Sequence, residues 1–290
     1  MPESLIKGVS DTAFMVAAWR AAENARPDAL FRDPFAARLA GEHGHAIAAS
    51  MGQLTAGGWQ VVIRTVIIDE MIQNAVAAGT VTILNLGAGL DARPYRLTLP
   101  ASLRWIEVDY PHVIDWKTAQ LADEQPHCRL ERVRLDLADR PARQRLFAEI
   151  AADSPQTLIL TEGVVPYLTN DAVGELADDL HAFPGRAWIV DYFSAATLEY
   201  RRRMGVSRKM SEAPFRFEPP DWFEFFAQHG WRPAEVRYVA PEGRKLGRPI
   251  PLSPLVRLAL RAARLLAPAS KSEALQKFAG YVILKPGSAS

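Results

Sequence analysis

Two glycines and a later aspartate have the residue types and the spacing that bind a nucleotide-like ligand. The segment Gly87-Ala88-Gly89 directly follows an apolar run, and Asp109 comes about 20 residues after it. Glycine has no Cβ atom, so a ligand can lie close to its backbone, and a helix beginning near Ala92 would point free N–H groups at an anion. An acid at this distance can accept hydrogen bonds from ribose hydroxyls. The motif therefore predicts a site for a nucleotide-like cofactor.

Carboxylates at the ends of the predicted strands add acceptors to this site: Asp109, Asp136, Glu162 and Asp191. The carboxyl ends of parallel strands line one crevice, which is where ligands bind in open α/β sheets. Asp109 suits a ribose diol, and Asp136 can pair with the amino group of an adenine whose ring Leu137 covers. Each carboxylate alone is equally well explained as a helix cap or a solvated loop residue, but together they favour a binding site.

The elements that would position these residues alternate between strand and helix. Residues 81–86 form an apolar, β-branched run of the length expected for a buried parallel strand. Further strands are predicted at 103–109, 129–136, 157–161 and 187–192, and helices at 111–122, 141–151 and 170–182. This alternation indicates right-handed βαβ crossovers and a parallel sheet, and therefore an α/β fold.

The flanking segments do not follow this alternation. The pattern predicts helix within 11–39 and 59–78, an exposed small-residue connection at 41–58, and a last strand at 278–284. After the fifth strand we expect a basic helical segment at 199–210, a helix at 221–229, a strand at 233–239 and a basic Pro/Gly-rich stretch at 241–254. A Leu/Arg-rich helix at 255–266 is expected to pack on the flank of the sheet rather than on a membrane surface.

The bulk composition is that of a soluble globular protein. Of 290 residues, 49% are hydrophobic and 23% are charged, and the formal net charge of +1 gives no general field that attracts nucleic acid. The single cysteine, Cys128, excludes an intrachain disulfide and is expected to be a buried structural thiol. The sequence has no apolar run of about 20 residues and no signal-like N-terminus, so we expect a cytoplasmic protein.

Several segments match the motifs of one known family: Asp11-Thr12-Ala13, Arg32-Asp33-Pro34, Arg64, residues 85–93, Glu107-Val108-Asp109-Tyr110-Pro111, Asp136-Leu137 and residues 161–168. Through these segments the chain resembles the leucine carboxyl methyltransferase family. The likeness is to its bacterial branch of S-adenosylmethionine-dependent O-methyltransferases, which act in polyketide and similar small-molecule methylation. It covers most of the chain to about residue 192.

The resemblance implies a class I methyltransferase with a Rossmann-like sheet. Such a sheet has seven strands, mostly parallel, with an antiparallel last strand, and a helical cap accompanies it. A single domain over residues 1–290 is then expected. It would comprise a helical cap at 1–58, a cofactor-binding core at 59–193, a lid with later strands at 194–277, and a terminal strand and tail at 278–290.

The resemblance also implies which residues bind S-adenosyl-L-methionine. The cofactor-binding positions that it transfers are Arg64, Gly87, Ala88, Gly89, Asp109, Tyr110, Asp136, Leu137 and Glu162. In the family, the glycine motif passes under the methionine part, and the acids that end the second and third strands bind ribose and adenine. The arginine before the first strand pairs with the cofactor carboxylate, and the fourth-strand glutamate faces its amino group. A zwitterion needs one cation and one anion, so this pairing is chemically consistent.

The catalytic residues stay open. A carboxylate acceptor is already a nucleophile and needs only a cationic clamp, for which Arg201, Arg202 and Arg203 are candidates. A hydroxyl acceptor needs a general base, and Tyr192, His112 and His181 are candidates near the predicted strand ends. No metal is required for either reaction. Aromatic residues can line an apolar acceptor site, namely Phe14, Trp19, Phe215, Phe217, Trp222, Phe225 and Phe226.

The resulting hypothesis is methyl transfer to a carboxylate or hydroxyl oxygen of a small molecule, of polyketide or secondary-metabolite type. Two other classes of protein fit parts of the sequence. Residues 87–92 satisfy the relaxed G-x-G-x-x-A fingerprint of nicotinamide dehydrogenases, with Asp109 behind it. A binding protein that keeps the cofactor pocket without turnover is the second. The acceptor and the oligomeric state are not determined by the sequence.

Overall fold

The computed structural model describes residues 8–51, 56–183, 185–203, 212–251 and 276–287. Within these residues, seven strands form one sheet. They are β1 (Thr82–Leu86), β2 (Arg104–Asp109), β3 (Arg129–Arg134), β4 (Thr157–Thr161), β5 (Ala187–Phe193), β6 (Trp231–Tyr238) and β7 (Ala279–Pro286). Their order across the sheet is β3-β2-β1-β4-β5-β7-β6, which places β4 at the centre and β1 beside it.

The first five strands run parallel, which confirms the prediction from the strand–helix alternation. Every residue of β1 and β4 is buried, because helices cover both faces of the sheet. From β1 the chain moves outward to β3 and then returns across the sheet to β4. The strand order therefore reverses between β1 and β4, and the carboxyl ends at such a reversal form the crevice where α/β folds bind ligands.

The last strand is antiparallel, as predicted. β7 inserts between β5 and β6 and pairs antiparallel with both. The predicted sheet of seven strands with an antiparallel last strand is therefore confirmed. The register of β5 with β7 sets Tyr281 opposite Asp191, so a phenol and a carboxyl meet in the middle of the buried sheet.

The helices of the described residues begin and end as follows: α1 (Val9–Asn24), α2 (Ala36–Met51), α3 (Ala56–Ala77), α4 (Arg93–Arg96), α5 (Pro111–Gln120), α6 (Arg140–Ala152), α7 (Asn170–Asp179), α8 (Ala195–Arg203), α9 (Trp222–Gln228) and α10 (Val239–Lys245). Short 3-10 turns cover Val165–Tyr167 and Leu180–Ala182. Side chains cap three of the helices: Asp139 caps α6, Thr169 caps α7 and Asp221 caps α9.

Alternate residues of the strands point to opposite faces of the sheet and form two apolar cores. On one face, Leu84 of β1 belongs to the same buried cluster as Phe147 of α6. On the other face, Ile83 belongs to a cluster with Ile67 of α3. The alternation of side chains along the strands therefore gives the sheet two apolar faces, and a layer of helices covers each face.

The N-terminal helices α1 and α2 pack as a pair over the loop that follows β1. Leu39 of α2 and Leu90 of that loop are fully buried in one apolar cluster with α1. A Cβ atom placed on Gly89 would lie 3.3 Å from the Cβ atom of Ala13 in α1. The helical pair therefore covers the glycine motif directly, and its apolar face explains the helical periodicity seen before residue 40.

Two loop predictions were wrong. Much of the expected connection at 41–58 is helical, because α2 continues to Met51 past a break at Gly41, whose φ is +56°. Ile47 and Ala48 are buried against α1, so packing overrides the weak helical signal of this small-residue segment. In the basic stretch at 241–254, residues up to Lys245 belong to α10.

The segments after β5 agree in part with the prediction. The basic helix starts earlier than expected, at Ala195, and its described part ends at Arg203. The predicted helix at 255–266 lies outside the described residues. In the part of the chain that the structure describes, no helix combines the length and the apolar character required to span a bilayer.

Candidate functional site

The glycine motif forms a tight loop at the carboxyl end of β1. Gly87 and Gly89 both have positive φ, +64° and +47°, which other residues adopt only with strain. The N–H groups of Gly87 and Ala88 donate to the carbonyl of Val108 at 2.8 and 3.1 Å, which folds the loop against β2. A Cβ atom on Gly87 would lie 2.3 Å from the side chain of Val164. Backbone conformation and close packing therefore both require glycine at Gly87.

Asp109 ends β2 with its carboxylate fixed against this loop. One carboxylate oxygen accepts the N–H of Gly89 at 2.6 Å and the other accepts the N–H of Tyr110 at 2.7 Å. Burial raises the pKa of Asp109, while these two N–H donors hold it down. Each carboxylate oxygen can accept a second hydrogen bond, so the group retains capacity for a diol.

The helix after the glycine motif does not present a free N-terminus, so that prediction was wrong. α4 is a single turn, from Arg93 to Arg96. The side chain of Asp91 accepts the N–H of Arg93 at 3.0 Å, and this occupies a donor that was expected to face an anion. The N–H of Arg93 at the start of α4 is therefore not free for an anion.

Asp136 and Leu137 lie in the loop after β3, at the same edge of the sheet. Asp136 is exposed and accepts the N–H of Ala138 at 2.9 Å, while Leu137 is half-buried against the apolar core. Tyr110, which follows β2, is 40% exposed, and its ring stacks on that of His112. These residues leave a polar and partly apolar surface between β2 and β3 that is open to solvent.

Arg64 and Glu162 form an ion pair at the carboxyl end of β4. Arg64 Nε lies 2.8 Å from Glu162 Oε1, which is close enough for charge attraction. The N–H does not point at the carboxylate, however, and Arg64 Nε has no hydrogen-bond partner among the described residues. Burial raises the pKa of Glu162, but the neighbouring guanidinium groups of Arg93 and Arg64 outweigh burial and lower it. The pair is charged, and one donor of its arginine is unused.

Arg93 connects this ion pair to a second set of acids, and sequence reasoning missed its role. Its Nη1 lies 2.7 Å from Glu162 and 2.9 Å from Asp91, and its Nε lies 2.6 Å from Asp69 of α3. The side chain is only 3% exposed. Arg93 belongs to the matched segment 85–93, so an arginine directly after the glycine motif was the available signal. Its partners are distant in the chain, so no local pattern pairs them.

The residues at this edge fit a nucleoside joined to an amino acid. A free amino acid carries one carboxylate and one ammonium group, and Arg64 and Glu162 provide one charge of each sign. The guanidinium group of Arg64, whose side chain is 15% exposed, is a cation that can pair with a ligand carboxylate. The carboxylate of Asp109 lies across the glycine loop from them, where a ribose would follow.

The candidate bases are not brought together. His112 is exposed in the first turn of α5, and its Nε2 lies 3.1 Å from Ser10 Oγ. His181 lies before β5, at the amino ends of the parallel strands, and its Nε2 lies 2.8 Å from the carbonyl of His229. Tyr192 in β5 has its ring among aromatic neighbours, and burial raises its pKa. The side chain of Arg201 lies outside the described residues.

A small cavity lies at the carboxyl end of β5, beside the Arg64–Glu162 pair. Its free space is about that of one water molecule, and its lining residues are Pro166, Asp191, Phe193, Leu198, Phe215, Phe217 and Trp222. Asp191 accepts the N–H of Gly163 at 2.8 Å, which joins the cavity wall to the loop that carries Glu162. Burial raises the pKa of Asp191 to about 7, although Arg64 and the Gly163 N–H oppose it. Three aromatic residues of the predicted acceptor site therefore line one space.

Two other features of the described residues limit the chemistry. No group of three or more His, Cys, Asp and Glu side chains there is arranged to bind a metal ion. Cys128 is buried, and burial raises its pKa to about 11, so its thiol is an inert part of the core.

Comparison with known proteins identifies relatives of this chain. The model of the leucine carboxyl methyltransferase family matches residues 13–181. The chain is 32% identical over 286 residues to a protein of Mycobacteroides abscessus, with 85% of this chain and 91% of that protein covered. It is 33% identical over 297 residues to a protein of Mycobacterium tuberculosis, with 92% and 94% covered. Each of these relatives is named "Putative S-adenosyl-L-methionine-dependent methyltransferase".

Solved structures show the same fold at low sequence identity. A protein of Thermobifida fusca described as a "putative methyltransferase" superposes with a TM-score of 0.55 at 18% identity, covering 88% of this chain and 93% of that chain. A "duf574 family protein" of Streptomyces avermitilis gives a TM-score of 0.53 at 17% identity, covering 93% and 96%. The seven-stranded sheet described above is therefore a fold that other proteins of this size share.

Proposed function

The chain belongs to the leucine carboxyl methyltransferase family and is an S-adenosyl-L-methionine-dependent methyltransferase, and we propose that it methylates an oxygen atom of a small-molecule acceptor. Membership of this family decides against the nicotinamide dehydrogenase that the glycine motif alone allowed. The observation that carries the proposal is the group of buried aromatic side chains beside the charged carboxyl edge, including Phe217 and Trp222, which offers an apolar surface to a small molecule.

We assign the cofactor-binding roles as follows. Arg64 binds the cofactor carboxylate and Glu162 binds its ammonium group, which the two opposite charges support. Asp109 binds the ribose hydroxyls with the free lone pairs of its fixed carboxylate. Asp136 and Leu137 bind the adenine at the open edge of β3.

The loop Gly87-Ala88-Gly89 passes beneath the methionine part of the cofactor. The positive φ angles of its two glycines hold the loop in a tight turn, so its backbone does not project into the cofactor site. Tyr110 then flanks the adenosine from the side of α5, with its exposed ring. The order of strands supports this arrangement, because β3, β2, β1 and β4 follow one another across the sheet. The residues proposed to bind adenine, ribose and the amino acid part consequently lie in the same order as those parts in the cofactor.

The cofactor supplies an activated methyl group on a positively charged sulfonium. The protein's task is to hold an acceptor oxygen in line with that methyl group and to keep water out. Holding two reactants in attack geometry can supply about 7–11 kcal/mol of the barrier. The walls of the cavity, chiefly Phe217 and Trp222, are buried and apolar, so they orient the acceptor and exclude water.

Calorimetric titration of S-adenosyl-L-methionine and of NAD tests the cofactor assignment. We expect the wild type to bind the first and not the second. Arg64→Ala and Asp109→Asn should each weaken the affinity for S-adenosyl-L-methionine by about 10-fold or more, because each removes a charged partner of the ligand. Arg64→Lys, which retains the charge, should lose less.

Arg104→Ala is the matched control, because Arg104 pairs with Glu131 at 2.8 Å at the other end of β2, away from the glycine loop. Its affinity should equal that of the wild type. Incubation with methyl-labelled cofactor and a panel of hydroxyl and carboxylate acceptors, followed by mass spectrometry, tests the atom methylated. A label found only on nitrogen or carbon would overturn the O-methylation proposal, and undiminished cofactor binding by both site variants would overturn the site assignment.

A further inference from the structure

A buried arginine of helix α1 is hydrogen-bonded to the loop that carries the glycine motif. Arg20 Nη2 donates to the carbonyl of Leu90 at 2.5 Å, and Arg20 Nε donates to Asp33 at 2.9 Å. The side chain of Arg20 is 8% exposed, and that of Asp33 is fully buried. Leu90 directly follows Gly89 in the chain. One planar guanidinium group therefore joins three segments: α1, the turn before α2 and the glycine loop.

The glycine loop lies between this helix and strand β2. On one side, the N–H of Gly89 donates to Asp109 at 2.6 Å. On the other side, a Cβ atom placed on Gly89 would lie 3.3 Å from the Cβ atom of Ala13 in α1, one and a half to two helical turns before Arg20. Hydrogen bonds that involve a charged group are stronger than those between neutral groups. The bond from Arg20 to Leu90 is therefore a strong attachment of the loop to α1.

From Arg20, a path of alternating charges leads to the two residues proposed to bind the cofactor's amino acid part. The members of this charge path, in order, are Arg20, Asp33, Arg96, Asp69, Arg93, Glu162 and Arg64. The N–O distances between successive members are 2.9, 4.0, 2.6, 2.6, 2.7 and 2.8 Å. Every side chain of the path is 15% exposed or less. Water therefore screens these charges little, and each one affects the position of the next.

The contacts along the charge path are directional as well as close. Arg96 donates to both oxygens of Asp69, at 2.6 and 2.7 Å, and Asp69 also accepts from Arg93 Nε at 2.6 Å. Arg93 Nη1 in turn donates to Glu162 Oε2 at 2.7 Å, which leaves Oε1 beside Arg64. A continuous network of this kind can transmit a displacement from one end to the other. The orientation of Glu162 and Arg64 thus depends on contacts that begin in α1.

We propose that Arg20 is a positioning residue for S-adenosyl-L-methionine, which acts through Leu90 and the charge path on the site of the cofactor's amino acid part. This inference rests on the proposed cofactor site and adds a residue of the N-terminal helices to it. Without the guanidinium group of Arg20, the carbonyl of Leu90 and the carboxylate of Asp33 each lose a charged hydrogen bond. The proposed ribose ligand Asp109 keeps the N–H of Tyr110, so the adenosine part should depend on Arg20 less.

Binding of S-adenosyl-L-homocysteine and of 5′-methylthioadenosine, measured by calorimetry, tests this proposal. Both probes contain the adenosine and the sulfur atom, but only the first has the carboxylate and the ammonium group. We expect Arg20→Gln to weaken binding of S-adenosyl-L-homocysteine by about 10-fold and binding of 5′-methylthioadenosine by about twofold or less. Arg20→Lys keeps the charge but loses the planar fork, so it should weaken the first probe by about threefold.

The ratio of the two dissociation constants distinguishes positioning from a general loss of structure. A partly unfolded sample binds both probes less well by the same factor, so its ratio stays that of the wild type. If Arg20→Gln does not fold, as judged by circular dichroism, Arg20→Lys and Asp33→Asn decide the matter. Asp33→Asn keeps the shape of the side chain and removes its charge, and it should shift the ratio in the same direction. A ratio within about twofold of the wild type in both of these variants would overturn the proposal.

Arg38→Gln is the matched control. Arg38 is also an arginine of the N-terminal helices, and it pairs with Glu124 at 2.7 Å, but the side chains of this pair are 40% and 34% exposed and neither belongs to the charge path. Its ratio should equal that of the wild type. A shift in Arg38→Gln as large as that in Arg20→Gln would mean that any disturbance of these helices has the same effect, and it would contradict the role of Arg20.

Arg64→Ala separates failure of this inference from failure of the proposed site. This variant should lose the preference for S-adenosyl-L-homocysteine, because it removes the proposed partner of the carboxylate. If Arg64→Ala loses the preference while the Arg20 and Asp33 variants keep it, the inference alone is refuted. If Arg64→Ala keeps the preference, the proposed cofactor site is refuted together with the inference.

Discussion

Two neighbouring regions at the carboxyl edge of the sheet shift the pKa of a buried acid in opposite directions. The ion-pair cluster, defined as Arg64, Asp69, Asp91, Arg93 and Glu162, pairs each acid with an arginine. Burial raises the pKa of Glu162, but Arg93 and Arg64 lower it further than burial raises it. In the aromatic cavity, burial prevails and raises the pKa of Asp191 to about 7. The partners of an acid, and not burial alone, decide whether it stays charged.

In the proposed function, the ion-pair cluster lies on the cofactor side and the aromatic cavity on the acceptor side. The proposed cofactor ends in a carboxylate and an ammonium group, and the cluster offers Arg64 and Glu162 as partners of opposite charge. Among the described residues that line the cavity, Asp191 is the one that can ionise. The two regions meet at the hydrogen bond between Gly163 and Asp191. Substitutions in each region should therefore have different consequences for stability and for pH dependence.

Removal of the central arginine should have the largest effect. Arg93→Ala leaves Asp69, Asp91 and Glu162 with fewer partners, and breaking a buried ion pair costs about 3–5 kcal/mol. Urea unfolding of the variant should show this loss of folding free energy. The control Arg104→Ala breaks a partly exposed pair and should cost about 1 kcal/mol or less. Equal losses in the two variants would mean that the cluster is no more than a set of surface pairs.

The stability of Asp191→Asn relative to the wild type should increase as the pH rises. The unfolded chain loses this proton near the ordinary value of 3.8, whereas the folded protein keeps it to about pH 7, so between these values the folded state binds more protons. The wild type therefore loses stability in this window as the pH increases, by about 1.4 kcal/mol per pH unit. Relative to the wild type, the variant should gain about 2–3 kcal/mol between pH 5 and pH 7. A difference in stability that is independent of pH would contradict the raised pKa.

Glu162→Gln should show the opposite dependence on pH. Arg93 and Arg64 lower the pKa of Glu162, so its stabilising effect is present above the ordinary value of 4.5 and is lost on acidification through the lower folded value. At pH 7 the variant should be less stable by about 2 kcal/mol, because it replaces a charged hydrogen bond by a neutral one. The deficit should shrink below about pH 4. A deficit that grows on acidification would overturn the contrast between the two regions.

Trp222→Phe should have the smallest effect on stability. The indole N–H has no partner among the described residues, so its loss costs no hydrogen bond, and only the smaller ring volume counts. Thermal unfolding should show a change of about 1 kcal/mol or less. The matched substitution Trp188→Phe removes an N–H that donates to Thr161 at 2.8 Å and should cost more. A larger loss at Trp222 than at Trp188 would contradict an indole N–H of Trp222 without a hydrogen-bond partner.

Much of the fold follows from local signals in the sequence. Strands β1 to β5 were predicted within about two residues of their observed ends, because apolar runs and helical periodicity are properties of short segments. The helix α2 was missed beyond Gly41, since its alanines and glycines give a weak pattern that becomes helical only by packing on α1. The one-turn length of α4 was likewise missed, because the capping side chain of Asp91 ends the run of free N–H groups.

The candidate site, like the fold, could be predicted from the sequence only in part. The glycine loop and the acids Asp109 and Glu162 could be located from the order of strands, because parallel strands bring their carboxyl ends to one edge. The aromatic residues Phe217 and Trp222 were predicted for an acceptor site, and the structure brings both to one cavity. The catalytic candidates His112 and His181 were chosen by residue type, and the structure separates them to opposite edges of the sheet.

The sequence by itself determined the α/β class, the family and the edge of the sheet that carries the candidate site. Those properties depend on residue types and on spacings within a few tens of residues. Only the tertiary structure decided which charges are paired and which are not. Arg93 meets Glu162 across 69 residues, and Asp191 meets Tyr281 through the pairing of β5 with β7. The charge of a buried group depends on neighbours brought by distant segments, which no local pattern in the chain records.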